Sequence, residues 1–176
     1  MGHGCVPFYS ERGKIMGYIA LGILIFLFDI ITKYAAEVHL RLIDTIPLLK
    51  GVFHLTYVEN RGIAFGLFSG ERVLFIVVTV LVLAMLVVLY AKTEQTQRTR
   101  FMKYAMALIM GGATGNLLER LAKGYVVDFL DFRWIHFPVF NVADIAVCLG
   151  AGLLMIHFFL TEDKEETSKE GEACDE

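Results

Sequence analysis

Residues 73–91 read VLFIVVTVLVLAMLVVLYA, nineteen positions without a charge. At about 1.5 Å of rise per residue, a helix of that length crosses a hydrocarbon core of roughly 30 Å. Working outward, three further segments have the same character with polar interruptions: 15–36, broken by Asp29 and Lys33; 104–122, ending in Asn116, Glu119 and Arg120; and 141–160, with Asp144 near its start. Hydrophobic residues make up 56% of the 176 and charged residues 20%, with a mean hydropathy of +0.60. A water-soluble domain of this size cannot cover so much apolar surface. The expected fold is an all-α membrane protein, a four-transmembrane-helix bundle. Its outer loops are rich in β-formers and predict a small extracytoplasmic cradle.

The formal net charge of −3 hides two unlike parts. Residues 161–176 hold eight acids and two lysines, which leaves the remainder at +3. The chain therefore divides into a leader (1–14), a four-span domain (15–160) and an acidic tail (161–176) expected to be disordered. The long apolar stretch after Arg12 and Lys14, with three spans behind it, predicts an uncleaved first helix rather than a removable signal. Four bases between Lys92 and Lys103 weight the central loop toward the cytoplasm. Both termini are then cytoplasmic, and the other loops lie outside. Cys5, Cys148 and Cys174 are scattered and suggest neither a disulfide framework nor a metal knuckle.

In Phe53–Val58 large apolar residues recur with a period near two, followed by Asn60-Arg61-Gly62 and Ile63–Gly66. This predicts a hairpin-like unit on the membrane surface, carrying Phe53, Tyr57, Phe65 and Phe68 as anchors or clamp. Gly124–Ile135 predicts an extended strand. Counting rise from the helix ends puts Asp29 roughly 22 Å, Asn116 about 20 Å and Asp144 about 26 Å from the cytoplasmic boundary. Asp29, Asn116, Glu119, Arg120, Asp128, Asn141 and Asp144 thus share one outer depth. Isolated charges in a bilayer are costly, so seven polar groups at one depth predict a site. Taken alone, Lys33 and Lys123 read better as snorkelling side chains.

Serines are few and no nucleophile elbow, CxxC or HExxH motif occurs. Gly111–Gly115 lacks the preceding strand of a phosphate loop and predicts close helix packing. Paired carboxylates remain. Two aspartates close together share one proton, so one can activate water while the other polarises a carbonyl. Asp144 is one candidate. Asp128 and Asp131 compete for the other place, because three residues apart on a strand they face opposite ways.

Five motifs then carry a resemblance: Asp29-x-x-Thr32-Lys33, Asn60-x-Gly62-x-Ala64-Phe65-Gly66, GGATGNLLER (Gly111–Arg120), GYVVDFLDF (Gly124–Phe132) and FNVADIA (Phe140–Ala146). In this order on four spans, the sequence resembles the lipoprotein signal peptidase family. The resemblance implies an aspartic endopeptidase of the bacterial inner membrane, active near its outer face. It would remove signal peptides from prolipoproteins just before a cysteine bearing a diacylglyceryl group. It implies Asp128 and Asp144 as the catalytic pair, and Asp29, Lys33, Asn60, Gly62, Asn116, Arg120 and Asn141 as lining or supporting residues. Of these, Asn60, Asn116 and Asn141 are expected to bond the substrate backbone, and Arg120 and Asp29 to tie helices by buried pairing. No metal, cofactor, nucleic acid or obligate protein partner is expected beyond the prolipoprotein and membrane lipids. Ile30 and Glu119 depart from the family's usual Gln and Asp. Two other readings compete: a metal-dependent lipid enzyme holding Mg²⁺ on Asp128, Asp131, Asp144 and Glu119, and an ion- or proton-relaying transport component.

Overall fold

Leucine and valine without an interrupting charge give α2 (Arg72–Lys92), which needs no cap to be stable in lipid because every backbone bond is satisfied inside the helix. The computed structural model describes residues 8–62 and 72–173, with side chains for 13–62 and 72–160. The other long helices are α1 (Phe8–Leu40), α3 (Arg100–Ala122) and α4 (Val142–Ala173). Among the described residues, three stretches are long and apolar enough to cross a membrane: Gly13–Leu40, Arg72–Lys92 and Val142–Leu160. The protein is thus mostly helical, with a small antiparallel sheet of β1 (Thr45–Leu49), β2 (Phe53–Asn60) and β3 (Val126–Phe132) in that order.

α3 is the least apolar of the four because it is the central one, packed against α1, α2 and α4. Its glycines permit backbone contact. A methyl on Gly111 would stand 2.5 Å from the Gly22 carbonyl oxygen of α1, and one on Gly112 would stand 2.5 Å from that of Ala143 in α4. A methyl on Gly115 would strike the Asp29 carboxylate. The expected close packing of Gly111–Gly115 is what the fold uses. Gly115→Ala is accordingly expected to destabilise the protein by about 1–3 kcal/mol, the usual cost of overpacking. Thermal unfolding in detergent measures it, and an unchanged midpoint would contradict it.

The sheet differs from expectation in two respects. Phe53–Asn60 pairs with Thr45–Leu49, a strand the sequence reading did not foresee. The turn between them uses Gly51 at φ +74°, a left-handed conformation that glycine adopts without strain. β1 contains Pro47 and lies at the edge, where a missing N–H is tolerated. Ile63–Gly66 and Phe68, the expected second half of the hairpin-like unit, lie outside the described residues. The expected strand 124–135 is shorter: β3 ends at Phe132, and Arg133–Ile135 form a 3-10 turn. Ala36 and Leu40 of α1 bury Val127 and Phe129 of β3, which fixes the sheet across the end of the bundle.

Helical backbone also extends further than expected, from Phe8 within the leader and on past Leu160 to Ala173. The segment expected to be a disordered tail is rich in Glu and Lys, which are good helix formers and continue a helix already nucleated in α4.

Candidate active site

Two short-range devices place Asp144. Asn141 precedes α4, and its Oδ1 accepts the N–H of Asp144 at 3.0 Å. Asp144 Oδ2 returns the bond by accepting the N–H of Asn141 at 3.1 Å. This reciprocal capping box satisfies donors that a helix start leaves orphaned. The intervening N–H, that of Ala143, donates to Asp29 Oδ1 of α1 at 2.9 Å. The remaining Asp144 oxygen, Oδ1, accepts from Asn116 Nδ2 of α3 at 2.9 Å.

Asp128 comes from the middle of β3, opposite Val58 of β2. Its two oxygens each take an amide: Asn141 Nδ2 on Oδ1 at 2.6 Å, Asn60 Nδ2 on Oδ2 at 2.8 Å. Asn60 Oδ1 in turn holds the Gly62 N–H at 3.0 Å. Asn141 therefore bonds both aspartates, and they share one cavity of about 500 Å³ with Asn60, Gly62 and Arg120. Burial chiefly, and then the nearby Asp144 charge, push the Asp128 carboxyl up to about 7 against the pull of its amide donors and Lys33.

Beneath the pair lies a buried cation. Lys33 is 1% exposed and does not snorkel, contrary to the reading of it alone. Its Nζ reaches Asp29 Oδ2 at 2.7 Å and Asn116 Oδ1 at 2.6 Å. An ammonium only donates, so the Asn116 carbonyl must face it, and the Asn116 amide nitrogen then points at Asp144.

Asp131 takes the other face of the sheet. It accepts from Thr56 Oγ1 at 2.6 Å and from Arg133 Nε at 2.8 Å. Burial works to raise its carboxyl, but those donors outweigh it and hold it below the usual carboxylate value. Glu119 is engaged by Lys33 and Lys123. The four acids of the metal-site alternative therefore do not converge, and no such cluster occurs among the described residues.

The asparagines and Arg120 have contacts beyond those expected. Asn60, Asn116 and Asn141 each direct an amide N–H at an aspartate. A carboxylate at hydrogen-bond distance is the stronger acceptor. Arg120 forms no ion pair among the described residues. It donates to Asn116 O at 3.4 Å, lies over the Phe75 ring at 5.5 Å and lines the cavity. Asp29 pairs within its own helix, with Lys33, and reaches α4 through the Ala143 N–H instead. The sequence reading missed the apolar wall, Phe137–Phe140 with Ile145 and Leu149. The run FPVF between strand and helix was the available signal.

Apolar helices carrying an amide-bonded pair of aspartates at one end, one of them buried, define a class, the membrane enzymes of the aspartic type. Residues 21–160 match the family described as signal peptidase (SPase) II, and the chain belongs to that family. It is 45% identical over 148 residues to the lipoprotein signal peptidase of Halothermothrix orenii, covering 84% of this chain and 97% of the relative. With the lipoprotein signal peptidase of Haemophilus influenzae it shares 39% over 165 residues, 90% and 95% of the two chains. A solved bacterial membrane enzyme superposes with a TM-score of 0.74 at 30% identity, covering 86% of this chain and 92% of that one. A second does so at 0.74 and 32%, covering 82% and 93%.

Proposed function

We propose that this protein removes signal peptides from prolipoproteins, cutting just before a cysteine that carries a diacylglyceryl group. Asp128 and Asp144 are its catalytic pair. Relatives of nearly full length bearing the name lipoprotein signal peptidase support the substrate. The single observation that carries the mechanism is the Asp128–Asn141–Asp144 bridge beside one cavity. Asp144, oriented by donors from Asn116 and the Asn141 N–H, takes a proton from water. Asp128, pushed up to about 7, keeps a proton to give to the scissile carbonyl. Water then adds to that carbonyl, and the pair returns a proton to the departing amide nitrogen. The titration belongs to the two carboxyls jointly. Neither a cofactor nor a partner chain enters any step.

The same proposal makes α3 the fourth span of a peptidase domain over 15–160. Its 23 residues reach about 34 Å, and of its polar groups Glu119 is buried, Asn116 bonds Lys33 of α1 and Arg120 lines the cavity. Both termini lie in the cytoplasm of a bacterium whose inner membrane holds the protein, with the aspartates near the outer face. There an acylated cysteine keeps its chains in the bilayer while the peptide bond reaches the cavity, and the apolar wall Phe137–Phe140 faces lipid substrate.

The test is cleavage of a diacylglyceryl-modified prolipoprotein by the purified protein in EDTA. Mature lipoprotein and free signal peptide are expected, and uncut precursor in the presence of folded protein would overturn the assignment.

A pH prediction follows. The pair needs one proton, and activity falls as pH rises through its upper pKa. Asn60 donates to the ionised form of Asp128, so Asn60→Ala raises that pKa further. The alkaline limb of kcat/KM is expected to move up by about one pH unit, the scale of a hydrogen bond to a charged group. A limb that stays or moves down contradicts it.

A further inference from the structure

A buried acid that does not reach the cavity is left over by the mechanism. Glu119 is 7% exposed and takes no part in the cavity wall. Its Oε2 accepts the N–H of Val127 at 2.9 Å, and Val127, 0% exposed, is the residue before Asp128. The same oxygen lies 3.5 Å from Lys33 Nζ, and Oε1 is 2.9 Å from Lys123 Nζ.

Satisfying the two lysines does not by itself account for this acid. Lys33 already has Asp29 at 2.7 Å, and Lys123 has Glu37 at 2.7 Å. What Glu119 alone supplies is the acceptor for a buried strand amide. That bond crosses from α3 to β3 one residue from Asp128. Through Lys33 and Asn116, the same carboxylate is linked at second hand to Asp144.

The network continues outward with alternating sign. Glu37 lies 3.8 Å from Arg41, Arg41 lies 4.0 Å from Glu59, and Glu59 lies 3.1 Å from Arg61. Glu59 pairs in register with Val127 and precedes Asn60, the second donor to Asp128. Both strand segments flanking Asp128 are thus tied into one chain of charges in which Glu119 is the innermost strand contact.

We propose that Glu119 is a positioning residue for the cleavage reaction, setting the height of β3 against α3 and so the stand of Asp128 relative to Asp144. This rests on Asp128 and Asp144 being the catalytic pair. Glutamate has the reach to bond Val127 while holding both lysines, and it acts on kcat without touching substrate.

The experiment compares wild type, Asp128→Asn, Glu119→Ala and Glu119→Gln in prolipoprotein cleavage, on membrane-inserted protein, with full pH profiles. Asp128→Asn is expected to be inactive. Glu119→Ala is expected to lose kcat on the order of 100-fold, the scale of a misplacement of about 1 Å, with KM within about twofold. Glu119→Gln keeps a carbonyl for the Val127 N–H and is expected to restore kcat to within about fivefold of wild type. Its alkaline limb should nevertheless move to lower pH, because Lys33, which lowers the Asp128 carboxyl, loses a neutralising neighbour. If Glu119→Ala does not accumulate, the limb of Glu119→Gln decides alone. Wild-type kcat and pH profile in Glu119→Ala beside an inactive Asp128→Asn would overturn the positioning role only. Equal losses in both Glu119 variants with an unmoved limb would reduce Glu119 to a structural residue. An active Asp128→Asn would remove the catalytic pair and this proposal with it.

Discussion

Asp128→Asn is expected to insert and fold as the parent does and to cut prolipoprotein about 10⁴-fold more slowly, with Asp144→Asn equally impaired. One acid–base group is worth about 10²–10⁴-fold. The two carboxyls work as a unit, so losing either forfeits the contribution of both and puts the effect at the upper end. The double variant should therefore be scarcely worse than either single one. Folding survives because asparagine has the shape of aspartate. At position 128 it keeps an oxygen for one of its two amide donors, Asn60 or Asn141. At 144 it can still take the Asn141 N–H that closes the start of α4. Rates of single-turnover cleavage on membrane-inserted protein check this. A tenth of wild-type activity in either variant would end the two-aspartate mechanism.

Lys33→Met is expected to cost about 3–5 kcal/mol, the penalty for stranding a buried carboxylate without its partner. Asp29 is 0% exposed and pairs with Lys33 at 2.7 Å. The same ammonium turns the Asn116 carbonyl away from Asp144. Removing it leaves a buried charge and frees an amide that the site needs in one orientation. Lower thermal stability and lower yield from membranes should follow. Lys33→Met with Asp29→Asn should regain much of the loss, since the neutral amide oxygen still accepts the Ala143 N–H. A single variant as stable as the parent would show that the pair contributes nothing to the fold.

Much of this site was legible residue by residue. Asp29, Asn116 and Asp144 could be assigned a common depth because rise per residue is a local constant of the helix. Alternation along a strand likewise put Asp128 and Asp131 on opposite faces. It could not say which face meets α4. That depended on α1, where Ala36 and Leu40 receive Val127 and Phe129. The bonds from the asparagines to the aspartates were not legible, because an amide can serve a substrate or a carboxylate and only distance shows which it reaches. β1 was missed because Thr45–Leu49 is short, holds a proline and becomes a strand only by pairing with β2. The run of helix beyond Leu160 was missed for a different reason. Charge density suggested disorder, while the helix already formed in α4 removed the cost of nucleation.

By itself, then, the sequence determined the lipid environment, the apolar helices and the set of polar residues brought to one level. These follow from hydropathy and helix rise, which neighbouring residues settle among themselves. Only the tertiary structure decided which oxygen each amide serves, that Lys33 is buried beneath the pair, and that Glu119 holds the strand next to Asp128. Those bonds join residues up to 114 positions apart, and they exist only where packing brings donor and acceptor within about 3 Å.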